Sequence, residues 1–320
     1  MSDLGRVLVI AGGLSHERDV SLRSGRRVAE ALREVDVDVE QRDADADLLA
    51  YLRHDPPAAV FPLLHGAQGE DGGIQEVLAL AELPYVGSPP ISCRQTFDKP
   101  ISKGLLEQAG LRTPRGAVLS QAAFRELGAA VLLDSLVKRL GLPLVVKPAR
   151  GGSALGTSVV HKAEDLPSAM VECFAYGEAA MIEQLIEGTE IAVPVVDTGA
   201  GPHALPSVEI VAEPGTYDYH ARYTAGTTEY YVPARLPDPT GRAVAQAAVT
   251  AHHALRLRDI SRADMIVDAD GTPWLLDINV APGMTETSLL PQSARAAGIG
   301  LGDLARDLLS AAIERHRATQ

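Results

Sequence analysis

The chain has 320 residues, 46% of them hydrophobic and 22% charged, which allows two or three globular domains and excludes a disulfide-stapled mini-protein or a wholly disordered chain. Lys and Arg number 29 against 42 Asp and Glu, and the net charge of −13 demotes nucleic-acid binding, which calls for a basic surface. Two distant cysteines, Cys93 and Cys173, fit a reducing compartment and exclude a cysteine zinc site.

Arg6–Ala11 (RVLVIA) is an apolar run closed by Gly12-Gly13, as expected of a buried parallel strand. The opening stretch therefore reads as strand and glycine turn rather than as a signal peptide. No apolar run approaches the ~20 residues of a membrane span. The expectation is a soluble, cytoplasmic protein with neither nucleic acid nor membrane as partner. Leu22, Val28, Ala29, Leu32 and Val35 predict a helix over Ser21–Val35. Ala58–Leu64 predicts a second buried strand, followed by the loop His65–Gly72, a helix over Ile74–Glu82 and a short strand at Tyr85–Val86. Strand alternating with helix predicts a doubly wound parallel sheet, whose ligands sit beyond the carboxyl ends of the strands. Both glycine-rich loops lie there.

Gly87-Ser88-Pro89-Pro90 marks a boundary. Beyond it come a helix through Leu105-Leu106, a helix over Ala122–Leu140, a strand at Leu144–Lys147, the loop Pro148–Gly156 and a strand at Thr157–His161. Strands then dominate, at Met181–Leu185, Glu190–Val196, Ser207–Val211 and in a hairpin over 261–279. Helices are expected over Thr240–Leu257, Glu286–Ala297 and Asp303–Arg317. The fold class is α/β and α+β in three regions, 1–90, 91–184 and 185–320.

The hairpin carries the sharpest chemical signal. Asp270-Gly271 suits a two-residue type I′ turn. In that register Asp264 faces Asp277 and Arg262 faces Asn279, all on one sheet face. Ala263, Met265, Val267, Trp274, Leu276 and Ile278 share the other, apolar face. Carboxylates directly opposite repel, so the pair wants a cation, and an all-oxygen donor set suits Mg²⁺. The plainer alternative is a solvated face on which Arg262 neutralises Asp264.

Gly151–Gly156 follows Lys147 and matches neither common nucleotide fingerprint, yet its backbone N–H groups suit phosphate oxygens. An ordinary turn with a surface lysine is the alternative. Lys99 at a helix start points to an external anion, or is simply solvated. Glu17 lies in the first strand-end loop, where it also suits a helix N-terminus. Five of the eight tyrosines fall in 217–231, which reads as a functional loop, a packed Ω-loop or an interface.

Together these segments resemble the D-alanine–D-alanine ligases of the ATP-grasp superfamily. The resemblance rests on GGLSHERDVSLRSG (12–25), LLHGAQGEDGGIQEVL (63–78), FDK (97–99), VVKP with GGSALG (145–156), IEQLIEGTE (182–190), YDYHARY (217–223), RAD (262–264) and DINVAPGMTETSLLP (277–291), in the family's order. It implies a three-domain ATP-grasp architecture with an N-terminal doubly wound domain and ATP held between the other two. It implies ATP-dependent joining of two D-alanines through an acyl phosphate, for peptidoglycan synthesis, in a cytoplasmic homodimer. It also implies two Mg²⁺ ions, with Mn²⁺ as a substitute, on Asp264, Asp277 and Asn279. Lys99 and Lys147 would hold phosphates, with Gly152 and Ala154 in the phosphate loop and Arg222 at the transferring phosphate. Glu183, Leu185 and Ile186 would read adenine, and Glu190 the ribose. Glu17 would take the first substrate's ammonium, with Ser153 and Tyr223 linked to it and His65 nearby. Arg262 and the Gly283 N–H would form the oxyanion site, and Ser288 and Leu289 would receive the second carboxylate. A segment over 213–231 would close above the site.

Asp277 stands where the family has glutamate, Arg222 where it has lysine, Ala154 where a second serine is usual, and Val280 after Asn279 where it has threonine. These departures keep two alternatives open: a related ligase with shifted substrate preference, and a nucleotide-binding regulatory homologue without turnover.

Overall fold

The structure, a computed structural model, describes residues 4–152, 154–212 and 228–319. Its strands form three sheets that follow one another along the chain.

In the first, β1 (Val7–Ala11), β2 (Val39–Asp43) and β3 (Ala59–Pro62) run parallel in the order β2-β1-β3. Every residue of β1 and β3 is buried, as strands covered on both faces require. Val7, Val9 and Phe61 pack on one face with Leu32 of the helix Arg18–Glu34 and with Leu304 and Leu308 of the last helix, Leu301–Arg317. These two helices approach so closely that a Cβ on Gly302 would come within 2.3 Å of the Ala31 carbonyl oxygen. Leu8, Ile10 and Val60 pack on the other face with Leu48, Leu52 and Leu78. The expected strand at Tyr85–Val86 reduces to a single parallel bridge between Tyr85 and Val60. Conversely, β2 and the helix Leu48–His54 have no counterpart in the sequence reading. β2 is VEQRD, an edge strand in which only Val39 is buried, so it offers no apolar run.

The second sheet is antiparallel, with β4 (Gly116–Ser120), β5 (Leu144–Pro148), β6 (Ser158–Val160) and β7 (Ala179–Gln184) in the order β4-β7-β5-β6. The single helix expected over Ala122–Leu140 is two, Gln121–Glu126 and Ala129–Leu140, because Gly128 at φ +87° breaks the run.

The third sheet holds β8 (Thr189–Val196), β9 (His203–Ala204), β10 (Val208–Ala212), β11 (Thr228–Tyr231), β12 (Ile260–Val267) and β13 (Pro273–Asn279). Its order is β11-β10-β8-β12-β13, with β9 on β8. Val244, Ala248 and Ala251 of the helix Asp238–Ala254 pack on Ile191, Val193, Met265 and Leu275. Cys93 and Leu106, from the helices Pro90–Phe97 and Lys99–Gln108, enter this same core, which fixes the second helix beside the third sheet.

The hairpin differs from its expected turn while keeping its expected site. The turn is a three-residue loop: Asp268 N–H donates to the Thr272 carbonyl at 3.1 Å, and Gly271 takes φ +77°. The Asp268 carboxylate gathers the Asp270 and Thr272 amides and the Trp274 indole N–H, which holds the loop wider than a type I′ turn. The register shifts between Asp264 and Met265, so the ladder still pairs Arg262 with Asn279 and Asp264 with Asp277. The extra residue is absorbed as a bulge at Leu276. Leu275 therefore takes the core position expected for Leu276, and Leu276 turns to the opposite face.

Both cysteines are free and buried. No described helix is long and apolar enough to cross a membrane.

Candidate active site

A cleft of about 440 Å³ opens between the second and third sheets. Lys99, Lys147, Gly152, Ala154, Glu183, Leu185, Ile186, Glu190, Asp264 and Asp277 all line it. Ten residues expected to handle nucleotide or metal thus meet in one place. Val145, Val159, Ile266 and Leu276 add apolar walls, which suits a flat aromatic ring at one end and charge at the other. Leu276 reaches the cleft only because of the bulge. The loop after β5 turns sharply, with Gly151 at φ +136° and Ala154 at φ +58°.

Three lysines and two carboxylates form one charged network at the cleft, with Lys103 reaching it from behind the lining residues. Lys147 Nζ lies 2.7 Å from Glu183 Oε2 and 3.5 Å from the Leu276 carbonyl. Lys103 Nζ pairs with the other Glu183 oxygen, Oε1. Lys99 Nζ donates to the Gly151 carbonyl at 2.5 Å and sits 3.5 Å from Asp277 Oδ2. Burial pushes the Glu183 carboxyl up, but Lys147 and Lys103 outweigh burial and hold it below the usual carboxylate range. Burial and the like charge of Lys147 pull the Lys103 ammonium down to about 8, against the opposing attraction of Glu183. Lys103 escapes sequence reading because one more lysine in an amphipathic helix gives no signal of burial.

Across the cleft, Arg262 grips Asp264 with two hydrogen bonds of 2.7 Å. Asp277 Oδ1 accepts from the Ile278 amide at 3.0 Å, and Asn279 Oδ1 from the Ala281 amide at 2.8 Å. The repulsion between the opposed carboxylates is thus met by Arg262 on one side and Lys99 on the other. Among the described residues no group of three or more His, Cys, Asp or Glu side chains gathers as a metal cage. The two carboxylates and one carboxamide are nevertheless hard oxygen donors on one sheet face, which fits a cation such as Mg²⁺.

Beyond the loop after β5 lies a second acidic cluster, close to Gly152. Glu17 and Glu70 are both buried beside Gly66, whose φ is +69°. A Cβ on Gly66 would come within 2.8 Å of Glu17 Oε2. Glu70 Oε1 accepts from the Gly66 amide at 3.1 Å. Burial, reinforced by the Glu17 charge, pushes the Glu70 carboxyl up to about 8. Glu70 was legible only as part of the GEDG string. His65 donates from Nδ1 to the Ala281 carbonyl at 3.0 Å, since a carbonyl can only accept. Its Nε2 lies 3.3 Å from Ser24 Oγ, which also accepts from the Met284 amide. Burial keeps His65 below its ordinary value. His65 thus ties the N-terminal helix to the 281–284 turn.

In that turn Gly283 stands against Ser288, whose Oγ would be 2.8 Å from any added Cβ. Ser288 caps the helix Leu289–Ala296, while its hydroxyl is engaged by the Thr285 amide at 2.9 Å. The Leu289 side chain is buried with Ala192, Val208 and Ile210, which leaves only its backbone N–H for a ligand. Ser153, Arg222 and Tyr223 lie outside the described residues, as does 213–227 of the expected closing segment. Tyr230 and Tyr231 belong to β11, not to a loop, and the Arg235 guanidinium stacks 3.5 Å from the centre of the Tyr231 ring.

Family models described as D-ala D-ala ligase C-terminus and D-ala D-ala ligase N-terminus match residues 105–310 and 37–88. The chain is 42% identical to a D-alanine–D-alanine ligase of Bordetella petrii, over 97% of this chain and 92% of that protein. It is 41% identical to one of Anaeromyxobacter dehalogenans, over 96% of each. The crystal structure of the D-alanine–D-alanine ligase from Bacillus anthracis superimposes with a TM-score of 0.85 at 31% identity, covering 99% of this chain and all of that one. The same enzyme complexed with ATP gives 0.82 at 29% identity, over 99% and 100%.

Proposed function

The chain belongs to the D-alanine–D-alanine ligase family, whose reaction is ATP-dependent ligation of two D-alanines for peptidoglycan synthesis, and from that premise we propose how its own residues divide the work. One observation carries the proposal: Lys99, Lys147, Glu183, Glu190, Asp264 and Asp277 line a single cleft although the first and last are 178 positions apart in sequence. ATP enters with adenine between Val145, Leu185, Ile186 and Leu276, and with its exocyclic amine toward Glu183. Glu190 receives the ribose hydroxyls. Lys147 and Lys99 leave their carboxylates for phosphate oxygens, and the backbone of Gly152 and Ala154 closes around them. Asp264, Asp277 and Asn279 would hold Mg²⁺, which when bound neutralises charge on the transferring phosphate.

Glu17 holds the first D-alanine's ammonium and so points its carboxylate at the γ-phosphate. Phosphoryl transfer makes an acyl phosphate and ADP. The uncharged amine of the second D-alanine, its carboxylate on the Ser288–Leu289 amides, attacks the acyl carbon. Arg262 and the Gly283 N–H stabilise the tetrahedral oxyanion. Collapse expels phosphate, and the amine's surplus proton leaves to solvent. Ser153 and Tyr223 connect to Glu17, Arg222 meets the transferring phosphate, and 213–231 closes over the reaction. Three units, 1–90, 91–184 and 185–320, a homodimer and a cytoplasmic setting complete the proposal.

The test is phosphate release by the purified chain with Mg-ATP, with and without D-alanine, followed by identification of the dipeptide. The expected result is release that depends on D-alanine. A panel including D-serine, D-lactate and L-alanine sharpens it, because an equal rate with another acceptor shifts the substrate. ATP hydrolysis indifferent to every amino acid overturns it.

A further inference from the structure

The helix Lys99–Gln108 buries Lys99, Ser102, Lys103 and Leu106 along one stripe. Lys99 reaches the cleft. Lys103, one turn further on, is only 6% exposed and is not among the residues lining the cleft. Its ammonium ends at Glu183 Oε1, while Lys147 holds Oε2 from the cleft side at 2.7 Å. Glu183 thus has one cation facing the ligand space and one behind it.

We propose that Lys103 is a positioning residue for the nucleotide: from behind the cleft it keeps Glu183 neutralised and aimed, so that Lys147 can leave Glu183 for phosphate. The inference rests on the assignment of Glu183 to adenine and Lys147 to phosphate. Glu183 is 2% exposed, and a buried carboxylate stripped of every cation is strongly destabilised. With Lys147 as its only partner, Glu183 would hold that lysine and oppose its transfer. Lys103 removes the opposition. The two ammonium groups also repel each other across one carboxylate, which lowers the affinity of Lys103 for its proton. Phosphate that draws Lys147 away relieves this repulsion. Buried ion pairs are commonly replaceable by apolar residues without loss of stability. Stability alone therefore gives little reason for a lysine here, whereas no apolar side chain would leave Glu183 charged after Lys147 departs.

The experiment measures KM for ATP and for D-alanine, together with kcat, in Lys103→Met, Glu183→Gln, the double variant and Lys147→Met. Lys103→Met is expected to raise the ATP KM more than tenfold and leave the D-alanine KM within twofold. In the Glu183→Gln background the same substitution is expected to change the ATP KM less than twofold, because no carboxylate remains to be neutralised. An unchanged ATP KM in Lys103→Met, equal rises in both KM values, or a full tenfold rise on top of Glu183→Gln overturns the inference. If Lys103→Met does not fold, the double variant still decides, since it carries no uncompensated charge at 183. Lys147→Met separates the inference from its premise: an unchanged ATP KM there refutes the phosphate assignment, whereas a raised one with Lys103→Met silent refutes only the role of Lys103.

Discussion

Glu183 and Asp259 are both buried carboxylates served by two cations, and they differ in what those cations can do next. Glu183 is held by two lysines and faces the cleft. Asp259, 1% exposed, is held by Arg315 through hydrogen bonds of 2.8 and 3.0 Å, by the Gly87 amide at 2.7 Å, and lies 3.7 Å from Arg258 Nε. Arg315 also donates to the Tyr85 carbonyl, and Arg258 stacks on the Tyr85 ring. Asp259 thus pins the end of the first sheet, the start of β12 and the last helix together. A guanidinium fork fixes geometry, whereas an ammonium on a flexible stem can change partners. Similar charge arithmetic gives a latch where the cations are arginines and, on the proposal above, a ligand-responsive site where they are lysines.

Removing the latch is the largest way to break this contrast. Asp259→Ala leaves Arg315 and Arg258 without their carboxylate and is expected to cost about 3–5 kcal/mol of stability. Below its lowered melting temperature, the ATP KM should stay near that of the parent. A selective loss of ATP affinity at full stability would make Asp259 part of the site.

The converse experiment is Asp264→Asn. The carboxamide keeps one hydrogen bond to Arg262 and relieves the repulsion with Asp277, so the melting temperature should hold. Loss of charge opposite Asp277 is expected to lower kcat by about 100-fold or more, the scale seen when a single transition-state electrostatic contact is removed. Full activity with Mg-ATP would take Asp264 out of the chemistry.

A buried imidazole that the Asp197 charge attracts too weakly to offset burial completes the series. His252, which lies 2.8 Å from Ser261 Oγ, is pushed down to about 4 by burial and by His253. Its ordinary value is near 6.5, so below that pH the unfolded chain takes up a proton that the folded chain refuses. The stabilisation is complete above pH 6.5 and is lost as pH falls toward 4, on the order of 3 kcal/mol in all. Urea midpoints at pH 7, 5.5 and 4 should fall less steeply in His252→Gln than in the parent. Equal slopes would assign the acid sensitivity to other groups.

The smallest effect is expected from Asp277→Glu. Glutamate is the family's usual residue, and Asp277 is held loosely, 3.5 Å from Lys99. Activity should remain within about tenfold of the parent, about 1.4 kcal/mol in the barrier. A dead enzyme would mean that the bulged backbone of β13 is fitted to the shorter acid.

How much was legible follows from how local each feature is. Strand alternation placed Arg262, Asp264, Asp277 and Asn279 on one face, because the period of a strand is a property of neighbouring residues. The family resemblance carried by the motif strings assigned Lys99, Lys147 and Glu183 to the nucleotide, and the fold brings all three to one cleft. The turn at Asp270-Gly271 was misread because the Asp268 carboxylate, not the dipeptide, sets its width. Its site register survived because the bulge at Leu276 compensates. Only the tertiary structure decided that Lys103 is buried against a carboxylate 80 residues away, that Glu70 is buried beside Glu17, and that Asp259 meets an arginine 56 residues downstream. Burial and long-range pairing depend on which helix faces which sheet, and no window of sequence contains both partners.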